Sequence, residues 1–518
     1  MSGRRAPGVP SAAARPAGDP PAGDPQPLAP RPLTRAVTLA PGGGPAGDAV
    51  AAVLRSLGLE VLGGPAARAA GPAPAHCAVR IGNRWFGARP SAPQARPLDR
   101  PALRAAARRL CEAGGGRMVL LTDACGPALG GDPETAASHA ADLHWWNELA
   151  ARVAGRGVAV NTVRVGYAPF LGHRLSPEQE ADLLRCQAVR RPVEPADLAG
   201  ALGLLLSERA GNIVGETVPL DGGLDRAVVP FGGTGRTRPR SAPGRAAGSP
   251  WSLHGRRVLV TGASSGIGAA CALRLAAAGA QTVLAARRTG PLETLAARIR
   301  DGSGPPAHVV PADLAEPGAG PALVARAEER AGAVDGLVHA AGVLELDRPG
   351  SPPAWQRMYR INLFSLVELA DELAGRWTRR RVPGVIVPIG SVSAQITPVP
   401  QVQNYGAGKA AVAWYSSHLA TTLARHRIRI NTVLPAGVRT PMEEAADPAF
   451  VEASMRRVPS GRFSTPEEVA ELVAYLAAPV SDGLTGAQLR ICGGVGTLRP
   501  LPELLPGSGP DDETWRLP

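Results

Sequence analysis

One run of eight residues, Thr261-Gly262-Ala263-Ser264-Ser265-Gly266-Ile267-Gly268, constrains the fold of this chain more than any other stretch. It follows Arg257-Val258-Leu259-Val260, which reads as a buried strand, and leads into an Ala/Leu-rich helical segment from Ile267 to Ala278. Glycines at a strand–turn–helix junction let the backbone approach a pyrophosphate, and the helix N-terminus supplies oriented N–H donors. A lone glycine-rich turn says little, but this setting gives it weight. Further strand-like runs follow at Thr282–Ala285, Gly336–His339 and Gly384–Val387, separated by helical stretches. That alternation implies an α/β fold with a doubly wound parallel sheet, a Rossmann fold.

The chain reads as a tandem of two such units. Residues 1–33 are rich in Pro, Ala, Gly and Arg without periodicity, which predicts a disordered tail. A folded segment is expected over 34–226, a flexible linker over 227–250, a second folded segment over 251–498 and a tail over 499–518. Asn161 in Val160-Asn161-Thr162-Val163 parallels Asn431 in Ile430-Asn431-Thr432-Val433, and Asp221-Gly222-Gly223 parallels Cys492-Gly493-Gly494. The strand 36–40, with its glycine-rich turn at Gly42-Gly43-Gly44, parallels 257–262 at a shorter offset. The first copy therefore lacks about 48 residues in its middle, roughly one or two βα units.

Composition sharpens the chemistry. Of the 56 Lys and Arg residues only Lys409 is a lysine, and it stands four residues after a tyrosine, in Tyr405-Gly406-Ala407-Gly408-Lys409. Arg replaces Lys readily on solvated surfaces. It does not where chemistry needs a compact ammonium of adjustable pKa. The formal charge of +12 does not make a nucleic-acid binder: part of it lies in the N-terminal tail and linker, and aromatics are 4% of the chain, with no basic stretch interleaved with them. A basic surface fits acidic partners instead, such as a phosphopantetheine carrier protein or the phosphates of coenzyme A. The six cysteines show no metal-ligand spacing, and the residues predict no metal site. They read as reduced thiols of a cytoplasmic protein. No apolar run approaches a membrane span, and the N-terminus lacks the apolar core of a secretory signal.

After the second strand comes Ala286-Arg287-Arg288. A site for a ribose 2′-hydroxyl would place an acid here, whereas a 2′-phosphate suits a guanidinium. Arg287 is thus expected to select NADPH over NADH, with Ser265 or Arg288 assisting.

In these features residues 251–498 resemble the short-chain dehydrogenase/reductase family. The matching features are TGASSGIG, Asp313 in Pro311-Ala312-Asp313-Leu314, His339-Ala340-Ala341-Gly342, Asn362, Ser391, Tyr405, Lys409, Pro435, Thr440 and the Gly493-Gly494 end. Within the family the similarity is to 3-oxoacyl thioester and polyketide ketoreductases. The two-domain layout resembles high-molecular-weight 3-oxoacyl-carrier-protein reductases, whose N-terminal domain is a degenerate nucleotide-binding fold.

The resemblance implies NADPH-dependent reduction of a ketone, with a catalytic set of Asn362, Ser391, Tyr405 and Lys409. Tyr405 would protonate the carbonyl oxygen. Lys409 would lower the phenol's pKa from its free value near 10 and hold the nicotinamide ribose. Ser391 would orient the substrate oxygen, with Ser393 as the fallback, and Asn362 would hold a water linking Lys409 to solvent. The cofactor would lie on Gly262, Ser264, Ser265, Gly266, Ile267, Gly268, Arg287, Arg288, Asp313, Leu314, Ala341, Gly342, Tyr405, Lys409, Pro435, Val438 and Thr440. A helix over about 442–457 would cover the substrate, with Arg456 and Arg457 near a carrier phosphate or simply solvated.

His339 departs from the family's Asn-Asn-Ala-Gly and reads as a packed core histidine rather than a catalytic acid. By the repeat's spacing the first copy places Thr135, His139 and near Asp123 where the second has Tyr405, Lys409 and Ser391. It has lost this chemistry and suits a scaffold, dimerisation or docking role, although Asp123 with His139 would make a different acid–base pair. Trp145 and Trp146 are expected on a helix, one in the core and one at an interface. The family usually pairs through two helices, so a homo-dimer or homo-tetramer is expected. The alternatives are a dehydrogenase of a small secondary alcohol and a cofactor-binding scaffold with little catalysis.

Overall fold

Short runs of Val, Leu, Ile and Ala, flanked by glycines and helical segments, become the strands of two parallel sheets. The computed structural model describes residues 36–40, 45–63, 77–81, 98–124, 133–224, 251–345, 355–396, 402–441 and 448–498. The tails expected over 1–33 and 499–518, the linker over 227–250 and the turn at Gly42–Gly44 lie outside the described residues.

The first half, up to residue 224, carries β1 (Ala36–Ala40), β2 (Glu60–Gly63), β3 (Cys77–Ile81), β4 (Gly116–Asp123), β5 (Val158–Val165) and β6 (Thr217–Leu220). All pairings are parallel, in the order β2-β1-β3-β4-β5-β6. Its helices are α1 (Pro45–Ser56), α2 (Arg100–Glu112), α3 (Pro133–Val153), α4 (Pro177–Arg185) and α5 (Pro195–Leu205).

The second half, 251–498, carries β7 (Arg257–Thr261), β8 (Gln281–Ala285), β9 (Ala307–Val309), β10 (Gly336–His339), β11 (Gly384–Pro388) and β12 (Ile428–Ile430). They pair in the order β12-β11-β10-β7-β8-β9. Past Asn431 the chain runs into β13 (Thr432–Pro435), which pairs with β14 (Gln488–Ile491) and is tied back beside β11 by a bridge between Ile389 and Val433. The helices are α6 (Gly266–Ala277), α7 (Thr289–Asp301), α8 (Ala319–Ala331), α9 (Trp355–Tyr359), α10 (Ser365–Arg380), α11 (Gln403–Leu423), α12 (Pro448–Met455) and α13 (Pro466–Ala477). Strand order reverses between β7 and β10, and that switch point is where an open parallel sheet leaves a crevice for a ligand. Among the described residues no helix is long and apolar enough to cross a membrane.

The two sheets share their order except that, among the described residues, the first has no counterpart of β9 beyond β2. Helices α3 and α11 are both 21 residues long and keep the spacing that separates Asn161 from Asn431. Those two asparagines make the same bonds. Asn161 donates to the Ile213 carbonyl (2.7 Å) and accepts from the Glu216 N–H (2.9 Å), while Asn431 donates to Leu484 (2.9 Å) and accepts from Ala487 (3.0 Å). Gly222, Gly223, Gly493 and Gly494 all have positive φ, which explains why glycine pairs stand at both places.

The halves pack reciprocally. Helix α5 meets the 3-10 turn Pro479–Ser481, and α13 meets the 3-10 turn Glu208–Ala210. At the first contact, Asp197 holds Arg191 through two bonds (2.6 and 2.8 Å) and accepts the Gly483 N–H (3.1 Å). At the second, Glu468 holds Arg462 through two bonds (2.8 and 2.6 Å) beside Gly211. Trp251 packs against Gly203 of the first half and Tyr475 of the second. One apolar core runs through both halves.

Candidate active site

The cleft forms where backbone has to come closest to backbone. After β7, Gly262 adopts φ +68° and passes so near β10 that a Cβ would stand 2.7 Å from the Ala340 carbonyl oxygen. A Cβ on Gly268 would stand 2.2 Å from the Gly262 carbonyl oxygen. The glycines therefore close the turn. At the N-terminus of α6, Ser265 makes no side-chain cap bond, so the first-turn amides are presented to the cleft. The cavity, about 310 Å³, is lined by Gly262, Ser264, Ser265, Gly266, Ile267 and Gly268 from this turn, by Arg287 and Arg288 after β8, and by Asp313 and Leu314 after β9. Ala341 and Gly342 after β10 and Thr440 after β13 also line it. Thr440 packs over Gly266, where a Cβ would lie 3.2 Å from its methyl group. Gly268→Ala is expected to weaken NAD(P)H binding by about tenfold or more while the far-ultraviolet circular dichroism stays unchanged, because a methyl group must force the turn open; fluorescence titration checks this.

Arg287 and Arg288 are both exposed on the cleft, and Arg288 Nη2 lies 3.4 Å from Ser264 Oγ. Asp313 is exposed, and its carboxylate accepts the Ala315 N–H (3.0 Å). Leu314 is buried. Pro435 ends β13, and Val438 is buried in a bridge to Ser464; neither is among the residues lining the cavity. Positions that the sequence did not single out also line it, among them Ala286, Ala312, Val343, Ile361 and Pro441. Ile361 is the residue before Asn362, its one signal.

Tyr405 and Lys409 sit on the first two turns of α11, and the glycines between them have distinct jobs. A Cβ on Gly406 would stand 2.9 Å from the Ser393 carbonyl oxygen, so glycine lets α11 press against the turn after β11. A Cβ on Gly408 would stand 3.0 Å from the Tyr359 ring, so glycine there lets α11 seat against α9. Lys409 is buried, its Nζ donates to the Ile389 carbonyl (2.8 Å) and lies 5.7 Å from the centre of the Tyr405 ring. Burial pushes its pKa down to about 8. A Cβ on Gly342, at the cleft wall, would be 3.7 Å from the ammonium. The lysine thus stands behind Gly342 and beside the Tyr405 ring; neither Tyr405 nor Lys409 is among the residues lining the cavity.

Ser391 caps the 3-10 turn Val392–Ala394. Its Oγ accepts the Ser393 N–H (3.1 Å) and donates to Ser393 Oγ (3.1 Å). Asn362 is buried in a π-helical turn, Arg360–Phe364. Its amide is committed to Val343, donating to the carbonyl (2.9 Å) and accepting the N–H (2.8 Å). The side chain therefore fixes the loop after β10 and has its polar atoms engaged. His339 is buried between Thr261 Oγ1 (3.0 Å to Nδ1) and Ser365 Oγ (3.4 Å to Nε2). Burial, with the Lys409 charge, lowers its pKa to about 3, so it is neutral. Thr261 Oγ1 accepts the Ala341 N–H (3.2 Å), which leaves its own proton for Nδ1; Nε2–H then faces Ser365, whose hydroxyl donates to the Ile361 carbonyl (2.6 Å). The histidine links β7, β10 and the π turn as a packed core residue. The expected covering helix spans Pro448–Met455, shorter than 442–457, and residues 442–447 lie outside those described. Arg456 and Arg457 are exposed just beyond it, Arg456 paired with Glu452 (2.8 Å).

In the first half, Thr135 and His139 hold the α3 positions that correspond to Tyr405 and Lys409 on α11. Asp123 ends β4 and lies 3.5 Å from His173 Nε2. His173 comes from the loop after β5, a stretch with no pattern to signal it. Its Nδ1 accepts the Ala168 N–H (3.0 Å), and burial lowers its pKa to about 4. Trp146 is in the core and donates to the Asn161 carbonyl (3.2 Å), whereas Trp145 is half-buried beneath Arg100 and Arg104.

Comparison with known proteins places the chain in a family. The model of a family described as Enoyl-(Acyl carrier protein) reductase matches residues 102–225 and 262–496, more than half of the chain. A 3β-hydroxysteroid dehydrogenase of Eggerthella lenta is 35% identical over 255 residues, 48% of this chain and 96% of that protein. Nodulation protein G of a Rhizobium species is 36% identical over 247 residues, 47% of this chain and 98% of that protein. A 3-oxoacyl-acyl-carrier-protein reductase of Vibrio cholerae is 32% identical over 246 residues, 47% of this chain and 98% of that protein. The names of these relatives point to different substrates. The chain belongs to the short-chain dehydrogenase/reductase family, as an NAD(P)-dependent oxidoreductase that acts between a secondary alcohol and a ketone.

Proposed function

We propose that the chain reduces a 3-oxoacyl thioester, or a related polyketide intermediate, to the secondary alcohol, with NADPH preferred over NADH. The observation that carries the reading is a buried Lys409 beside the Tyr405 ring, just behind Gly342 of a cleft that presents two arginines. Bound NADPH supplies the hydride. Tyr405 gives its phenolic proton to the carbonyl oxygen. The Lys409 ammonium stabilises the phenolate left behind, and solvent then restores the proton. Ser391, turning its hydroxyl from Ser393 to the substrate, donates a hydrogen bond to the same oxygen and fixes which face is reduced. Asn362 holds the loop after β10 in place, and a relay water at the π turn belongs to this proposal.

The thioester is favoured by the arginine-rich surface, which suits the phosphates of coenzyme A or an acidic carrier protein, and by the 3-oxoacyl reductase among the relatives. We read the first half, 34–226, as a degenerate copy of the catalytic unit, 251–498. The shared strand order, the matched asparagine bonds and a family model that reaches into both halves support this. A cytoplasmic location and a homo-dimer or homo-tetramer fit the same reading.

NADPH oxidation in the presence of acetoacetyl-CoA tests the substrate class. Turnover of small secondary alcohols without any thioester activity would replace it by the dehydrogenase reading, and cofactor binding without turnover of any carbonyl compound would favour a scaffold. For the cofactor, Arg287→Asp is expected to lower kcat/KM with NADPH by about a hundredfold and leave that with NADH nearly unchanged, since a carboxylate repels the 2′-phosphate. An equal loss with both cofactors would remove Arg287 from the selecting role.

A further inference from the structure

The turn that carries Ser391 is supported from the other half of the chain. Glu216 stands just before β6, its main chain pinned by Asn161 Oδ1 and by the Thr162 N–H (2.8 Å). Its buried carboxylate accepts four bonds. One comes from the Thr217 N–H (2.9 Å); the others come from Arg490 of β14, through its backbone N–H (2.9 Å), Nε (2.7 Å) and Nη2 (2.9 Å). That grip fixes the plane of the guanidinium. The remaining nitrogen, Nη1, donates to Gln395 Oε1 (3.3 Å).

Gln395 closes the 3-10 turn that Ser391 opens. Its N–H donates to the Val392 carbonyl (2.9 Å), and the Ala394 N–H donates to the Ser391 carbonyl (3.0 Å). Its amide nitrogen donates to Gln488 Oε1 (3.2 Å), and Gln488 in turn donates to the Ala413 carbonyl (3.2 Å) and Ser417 Oγ (3.1 Å) on α11. One polar chain therefore runs from Glu216 to the two elements that hold Ser391 and the Tyr405–Lys409 pair.

We propose that the first half of the chain sets the position of Ser391, with Glu216 as the positioning residue acting through Arg490 and Gln395. The inference rests on the role given to Ser391 above. Catalytic geometry tolerates errors of only about half an ångström, so a turn held at one end through another residue's guanidinium depends on what aims that guanidinium. Neutralising Glu216 leaves a largely buried arginine without its counter-charge and frees it to turn elsewhere.

The test combines hydrogen exchange with kinetics on the full chain. In Glu216→Gln, the amides of Ser393, Ala394 and Gln395 are expected to exchange about tenfold faster, while amides of β7 and β10 do not change. Gln395→Ala, which cuts the chain at its exposed joint, gives the same local change with an unaltered melting temperature. With a ketone substrate, Glu216→Gln lowers kcat/KM about tenfold, leaves NADPH affinity as it was, and has almost no further effect in a Ser391→Ala background. Unchanged exchange over 391–396 in both variants overturns the inference, as does an equal loss of kcat/KM with and without Ser391. Exchange that responds in a protein reducing no ketone would sink the proposed activity and leave the coupling standing.

Discussion

Tyr405→Phe is expected to lower ketone reduction by about a thousandfold, within the range that a general acid contributes, while NADPH binding stays within about twofold of the native value. The phenol is the one acidic group that the structure places at the start of α11 beside both a buried ammonium and the Ser391 turn. Gly406 brings the helix against that turn, and the Nζ of Lys409 lies 5.7 Å from the ring. Phenylalanine keeps the ring and its packing and removes only the proton donor. The loss should therefore appear in kcat, with the melting temperature and cofactor affinity preserved. Steady-state kinetics with a saturating ketone, beside a fluorescence titration of NADPH, measure both. Full turnover in the phenylalanine variant would remove Tyr405 from the chemistry.

Lys409→Arg is expected to cost about a hundredfold or more in kcat, in a chain where arginine stands at every other basic position. The side chain is buried, and its ammonium is shaped to one carbonyl, Ile389, at 2.8 Å. A planar guanidinium is larger than this space and keeps its charge at any working pH. The lysine does not. Its folded pKa of about 8 lies below the ordinary lysine value of 10.5, so the folded state holds the proton less tightly than the unfolded chain. Stability from this group therefore rises as pH climbs from about 8 to 10.5, and the full burial penalty is present at pH 7. Activity runs the other way. Reduction is expected to be level below about pH 8 and to decline above it as the ammonium that supports the phenolate is lost, and a pH profile of kcat measures this. Lys409→Met should likewise lose turnover while its melting temperature is held or raised.

Much of this site was legible because several of its parts are backbone requirements that few residue types meet. Gly262 and Gly268 are forced by close approach, Gly222 and Gly493 by positive φ, and Asn161 and Asn431 by the same pair of main-chain bonds. Lys409 was legible for the opposite reason: in a chain rich in arginine, it is the exception. The less legible parts are pairings with no periodic signature. Glu216 and Arg490 lie far apart in sequence, and among 55 arginines no single one announces its partner. His173 meets Asp123 because the loop after β5 folds back over the end of β4. Sequence spacing leaves open whether one or two βα units separate the two halves in length; among the described residues no strand lies outside β2. The commitment of Asn362 to Val343 follows from a π turn that no sequence pattern marks.

The central claim, that the chain has one reducing site and that it lies in the second half, is tested most directly by a single-turnover titration. The chain is loaded with NADPH, freed of unbound cofactor and mixed with excess acetoacetyl-CoA, and the loss of reduced nicotinamide is counted. One NADPH is expected to be oxidised per chain in the native protein and none on that timescale in Tyr405→Phe. Two per chain, or one that survives in the phenylalanine variant, would contradict it.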